Sequence, residues 1–543
     1  MTASDGALTG ERGGAVVTID DGPIDARHPS PGTGVIVAPR PVDPDDGVGL
    51  LPRWVRSVGW VLLGAQLLAM VALSTEQYRR FALTGDFANY SQAWWSIAHG
   101  HLNPYVSGLG VSFWRDNAEF VLYPLSLLYY LYPHPIDLLW VNDVVVVMTE
   151  VVTFVWIRRA VERAGGGIPD GVGPVLAVGA AVALALDPWA YETVAFDFHF
   201  EPIAALFCVL VGYNLWAGRT RRLWWLVPLA LICHVLAGTY LLGIGLSGVL
   251  AGRRTRRPGV VIGTVGLAWV FVFTTVGAAG VKGQFVSSSY GYLVPGHRGR
   301  IGLVDIVAGA LTHPGAVAHV AATHWAVIVS FLVVLGVIGL LSPWGIGMAL
   351  VVLVPNVLDG SGSFIRYGAA FQSWPAMPFI LVGSVMVLIR LLERGAVARR
   401  VAAVTAALWA GFLVMFAVVA LPGLPRAWLW VSPPAAAELA RIEPLIPPDA
   451  EVVVSLPVMG RFAQRSSVYG FIEDHQTVPV DRKTLVFVFS PYESFQKKLT
   501  GTGITGATRF VARRLDARLL GAGAGVHAFA WSPPPGTTSV TLP

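Results

Sequence analysis

The sequence predicts an all-α, polytopic membrane protein of roughly eleven spanning helices, followed by a small α/β C-terminal domain. Three observations carry this expectation. Of 543 residues, 54% are hydrophobic and 13% charged, against about a quarter charged in soluble domains, and the mean hydropathy is +0.61. Apolar runs approaching about 20 residues, the length that crosses roughly 30 Å of hydrocarbon, recur from residue 54 to residue 421. Beyond 422 they give way to short, strand-like segments separated by prolines.

Residues 1–50 are rich in Gly, Pro and Asp, with eight acids against Arg12, Arg27 and Arg40. This reads as a disordered cytoplasmic tail and not as a cleaved signal peptide. Candidate spans follow at 54–74, 136–157, 172–187, 202–217, 223–233, 236–250, 259–279, 326–341, 345–358, 375–392 and 401–421. The runs on either side of Cys233-His234 are two helices or one kinked helix. If each run crosses once, Arg53/Arg56, Arg158/Arg159, Arg219/Arg221/Arg222, RRTRR at 253–257 and Arg394/Arg399/Arg400 share one side. That side is the cytoplasm, which turns 75–135, 188–201, 280–325, 359–374 and the C-terminal segment outward. The piece EFVLYPLSLLYYLYP, 119–133, reads as a helix lying along the outer membrane surface, where Tyr and Pro suit the headgroup level. In the C-terminal domain, 422–543, EVVVS and KTLVFVFS read as strands.

Several function classes are excluded. The net charge is +5, but the basic residues sit in short clusters between apolar runs and form no stripe for nucleic acid. Cys208 and Cys233 both lie in apolar segments, so no disulfide framework or thiolate metal site follows. No Walker loop, dinucleotide fingerprint, HExxH or nucleophile elbow occurs in a supporting context. The many glycines in apolar runs suit close helix packing.

The candidate functional residues lie in the outward loops. In GDFANYSQAWWSIAHGH, 85–101, Asp86 suits a helix cap as well as chemistry, and Phe87, Tyr90, Trp94 and Ile97 recur at helical spacing. His99 and, further on, Glu119 belong to the same loop. In DPWAYETVAFDFHFEP, Asp197, His199 and Glu201 alternate with Phe196, Phe198 and Phe200, so an extended backbone puts the three polar groups on one face. That face suits an acid/base cluster, a divalent cation or sugar hydroxyls; a solvated turn remains the alternative. His234 is a core histidine or lines a cavity at a helix break. Arg366 with Tyr367, a cation in an outward loop, suits a lipid-linked phosphate or an interfacial anchor.

GDFANYSQAWWSIAHG, DFHFEP and RYGAAFQSWP, combined with many spans and an outward C-terminal domain, resemble the GT-C superfamily of integral membrane glycosyltransferases. The resemblance is nearer to an uncharacterised bacterial branch of polytopic membrane proteins grouped with it, and covers about 75–490. It implies transfer of a sugar from a polyprenyl-phosphate donor to an envelope glycan, lipid or protein acceptor on the outer face of the bacterial plasma (inner) membrane. Asp86 would then be the general base, Asp197, His199 and Glu201 acceptor- or cation-binding groups, and Arg366 the donor-phosphate contact. Glu119, in NAEF, stands where related sequences often carry histidine, and His234, in ICHV, where they often carry a Lys-Glu-Asp cluster. Two other functions stay open: a lipid or glycan flippase, whose binding groups belong near the midplane, and a non-catalytic envelope assembly protein.

Overall fold

The computed structural model describes residues 51–116, 119–273, 288–296, 301–325, 328–329, 336–361, 370–420, 428–472, 475–492 and 503–543. They are mostly helical. Four helical stretches are long and apolar enough to cross a membrane: Arg53–Arg79, Ile136–Gly167, Val172–Ala195 and Trp374–Glu393. Glu201–Ala217, Ala237–Ala251 and Pro343–Val357 are apolar but shorter. The expected eleven spans are therefore not all full-length helices among the described residues.

Local sequence explains where the helices begin and end. Helix α1 (Arg53–Arg79) starts after Pro52 and stops at Phe81, whose φ is +61°. α2 (Gly85–Ala98) begins at Thr84, whose hydroxyl accepts from the Asp86 N–H. α3 (Ile136–Ala164) follows Pro135 and ends at Gly165, φ +46°. The run 172–195 is broken into α4 (Val172–Ala185) and α5 (Pro188–Ala195) because Pro188 has no N–H to continue the ladder, while the Asp187 carboxylate accepts from Trp189 N and caps α5. α6 (Glu201–Ala217) carries Pro202 in its first turn and ends at Gly218. α7 (Thr220–Cys233) and α8 (Ala237–Ala251) are separate helices, since His234 leaves the helix with φ −161° and ψ 150°. α8 lies close along α9 (Arg253–Val272): a Cβ on Gly245 would stand 2.5 Å from the Cα of Gly263, so only glycine permits this approach.

The stretch 119–133 forms two short helical pieces, Leu122–Ser126 and Leu127–Tyr130. Leu127, Tyr130, Leu131 and Tyr132 are exposed. Late in the chain, α10 (Leu303–Thr312), α11 (Pro314–Thr323), α12 (Met377–Glu393) and α13 (Ala396–Ala420) lead to the C-terminal segment.

That segment is α/β, as expected. Two short antiparallel pairs, β1 (Tyr105–Val106) with β2 (Val111–Ser112) and β5 (Thr477–Pro479) with β9 (Ser539–Thr541), accompany a five-stranded sheet in the order β4 (Val468–Phe471), β3 (Glu451–Ser455), β6 (Leu485–Phe489), β8 (Val526–Trp531), β7 (Arg518–Gly523). β3 pairs in parallel with β4 and β6, and β6, β8 and β7 are antiparallel. The central strands β3 and β6 are buried along their whole length, which is why they read as unbroken Val and Phe runs instead of alternating ones.

The sheet is tied to α2. Gln92 Nε2 donates to the carbonyls of Arg465 (3.0 Å) and Ser466 (3.1 Å), and its Oε1 accepts from Ser107 N at 3.0 Å. The Ser107 hydroxyl donates to Val468 O at 2.7 Å and accepts from Val468 N at 2.8 Å, pairing with the edge strand β4 as another strand would.

Candidate functional site

Four chain breaks meet at one end of the helices: the α1–α2 turn, the segment at Glu119, the α5–α6 turn and the α7–α8 break. Each is fastened by hydrogen bonds to its neighbour. Thr84 donates through its N–H (2.9 Å) and its hydroxyl (2.6 Å) to the Asp197 carboxylate. Asn142 of α3 donates to Asp197 O at 3.2 Å. Val121 N donates to Ile232 O at 2.9 Å, which holds the Glu119 segment against the end of α7.

The alternation of Asp197, His199 and Glu201 does not make a strand. Asp197 has φ +75°, in the left-handed region that Asp tolerates better than most residues, and Glu201 is already the first residue of α6. The three side chains therefore do not line one extended face. Asp197 and His199 turn to α2, whereas Glu201 turns to the α7–α8 break.

The first group is Asp86, His199 and Asp197. The buried His199 ring lies between two carboxylates, Nε2 3.9 Å from Asp86 Oδ2 and Nδ1 3.8 Å from Asp197 Oδ1. Asp86 is 56% exposed in its side chain and Asp197 fully buried. Burial works against a charged His199, but the facing Asp86 carboxylate and the charges of Glu201 and Asp197 outweigh that and raise it to about 9. Burial raises Asp197 to about 7, opposed by His199 and by the two Thr84 hydrogen bonds. At neutral pH the centre is thus an imidazolium that holds an accessible carboxylate on its open side.

The second group is Glu119, His234 and Glu201, all buried. His234 Nδ1 accepts from the Leu236 N–H at 3.1 Å, which fixes the ring proton on Nε2. That nitrogen lies 3.2 Å from Glu119 Oε1 and 3.5 Å from Glu201 Oε1. Glu119 and His234, far apart in the sequence, are thus partners in space. His234 is neither a core histidine in an apolar shell nor isolated: it joins two acids across a helix break.

Half-buried Tyr90 of α2 lies between the groups, edge-on to Phe200 (4.9 Å between centroids), His199 (5.7 Å) and Phe198 (5.9 Å). Its helical spacing suggested a core position; only the fold shows that this face packs on the site.

His99 is not brought in. It is exposed, its Nδ1 is 2.7 Å from Trp95 O, and it packs on Trp95 and Tyr129. Arg366 and Tyr367 lie outside the described residues. Among the described residues, no group of three or more His, Cys, Asp or Glu is arranged to hold a metal ion. The paired acids and histidines suit proton transfer and hydroxyl recognition.

The profile of a family described as "Predicted membrane protein (DUF2079)" matches residues 79–500. No curated protein matches the chain. Among solved structures, it is similar to the crystal structure of ArnT from Cupriavidus metallidurans bound to undecaprenyl phosphate, with 14% identity over 87% of this chain and 98% of that one and a TM-score of 0.46.

Proposed function

The chain belongs to the DUF2079 family of predicted membrane proteins, and from that premise we propose that it is a GT-C-type glycosyltransferase. In this reading it transfers a sugar from a polyprenyl-phosphate-linked donor to a hydroxyl of an envelope acceptor. The donor class rests on the sequence resemblance. The observation that supports the chemistry is the accessible Asp86 carboxylate held against buried, protonated His199.

The roles follow from that pair. A carboxylate takes the proton of the acceptor hydroxyl as the oxygen attacks the anomeric carbon. The bond from that carbon to the lipid phosphate breaks, and the phosphate departs with the electron pair, already a competent leaving group. His199 orients Asp86, and Asp197 sets the backbone at α2 through Thr84. Separations near 3.9 Å in a ligand-free site are compatible with contacts that tighten around substrate. Glu201, Glu119 and His234 would bind acceptor hydroxyls, and Arg366 with Tyr367 would contact the donor phosphate.

The topology belongs to the same proposal. Roughly eleven crossings, a cytoplasmic N-terminal tail and an outward C-terminal domain at 422–543 put the site on the outer face of a bacterial plasma membrane, where lipid-linked sugars are presented. The test is transfer of labelled sugar by the purified protein in liposomes from a panel of polyprenyl-phosphate donors. Transfer from one donor supports the proposal; no transfer from any donor together with movement of the lipid across the bilayer would replace it with a flippase.

A further inference from the structure

One uncommitted feature lies inside the helical bundle, away from the site above. Glu150 of α3 lies fourteen residues into Ile136–Gly167 (150 − 136), about 21 Å along the helix at ~1.5 Å per residue. It is 1% exposed, and among the described residues its carboxylate oxygens meet no hydrogen bond of ordinary geometry, the Gln66 amide being the polar side chain beside it. It lines a cavity together with Asp187, Ala183, Leu184 and Trp374.

Asp187 already accepts from the Trp189 N–H and from Trp374, but the other neighbouring features present negative charge or acceptors. Asp187 sits at the break between α4 and α5, in the middle of an apolar stretch. Ala183 and Leu184 belong to the last turn of α4, the negative end of its dipole. Gln66 donates its amide to Leu184 O at 3.1 Å, and its own Oε1, buried, meets no donor. No Lys, Arg or His lines the cavity. An ionised carboxylate here is costly without a counter-charge. One proton would satisfy one oxygen of one carboxyl, whereas a cation would engage both carboxyls at once.

We propose that the Glu150–Asp187 cavity binds a small hard cation of the Na⁺ or Ca²⁺ class within the bundle. The donor set is all oxygen, as such ions require. Unwound backbone at a broken helix, facing a cavity, is a setting in which membrane proteins hold ions. The bound ion ties α3 to the α4–α5 break, and α5 leads directly into the turn that carries Asp197 and His199.

The test reads binding and is independent of any sugar transfer. Purified full-length protein in lipid nanodiscs is titrated with NaCl, KCl and CaCl₂, with choline chloride at equal ionic strength as reference, by calorimetry and by thermal unfolding. Expected are saturable binding of one small cation and a rise in Tm of a few degrees that choline does not produce. Glu150→Gln abolishes both, and Asp187→Asn weakens them. Absence of saturable binding by the native protein overturns the proposal, whatever the variants do. So does a cation-specific rise in Tm that persists in Glu150→Gln or in the double variant, which would put the ion elsewhere.

Discussion

Asp197 accepts two hydrogen bonds from Thr84, one from its N–H at 2.9 Å and one from its hydroxyl at 2.6 Å, and the same hydroxyl accepts from Asp86 N at 3.2 Å. The acid of the second sequence segment therefore sets the helix start that presents the acid of the first. Asp197→Ala should lower stability by about 2 kcal/mol, the order for hydrogen bonds to a buried charged group. Thr84→Val should cost about 1 kcal/mol, a lost cap. Thermal unfolding in nanodiscs checks both, and equal values for the two variants would contradict the relay.

His234 Nε2 lies within ion-pair distance of both Glu119 and Glu201. Replacing it with Ala leaves two buried acids without their common partner, at a cost of about 3 kcal/mol. Adding Glu119→Gln removes one charge and should restore a large part of this loss. A double-mutant cycle measures the coupling; strictly additive costs would show that the pair does not interact.

His199 and Asp197 make stability fall as pH rises. His199 stands at about 9 in the fold against an ordinary value of 6.5. Its contribution is complete below 6.5 and is lost as pH rises through about 9. Asp197, raised from 3.8 to about 7, likewise favours its protonated form in the fold, and that contribution is lost as pH rises through about 7. Tm measured against pH should decline across both windows, and His199→Gln should flatten the upper one. A rise of Tm between pH 7 and 9 in the native protein would contradict the sign.

Ser107 joins the edge of β4 to the α2 region through both polar groups of Val468. Ser107→Ala with Gln92→Ala should release that edge, raising amide exchange at Val468 by at least about tenfold, which corresponds to about 1.4 kcal/mol. Unchanged exchange would mean that the sheet edge is protected by other contacts.

The membrane class and the α/β end of the chain were legible in the sequence, because hydropathy is a local signal, and clustered acids in apolar surroundings marked Asp86, DFHFEP, Glu119 and His234 as candidates. Their partnership was not. Glu119 and His234 are far apart in the chain and meet because Val121 bonds Ile232. The extended backbone expected for 197–201 fails because Asp197 takes a positive φ and α6 begins at Glu201, neither of which alternation reveals. Glu150 passed unnoticed, since one acid in a long apolar run reads as an interruption until the helix break at Asp187 is seen beside it.

The central claim is that Asp86 is the base. The most direct measurement compares sugar transfer by native and Asp86→Asn protein in liposomes, with the native donor at saturation and Tm recorded for both. The account predicts a fall in kcat of about 10²- to 10⁴-fold with the fold retained and Tm lowered only by what His199 loses with its Asp86 partner, because Asp86 is exposed and the Thr84 cap uses only its backbone N–H. Transfer by Asp86→Asn at the native rate would contradict it.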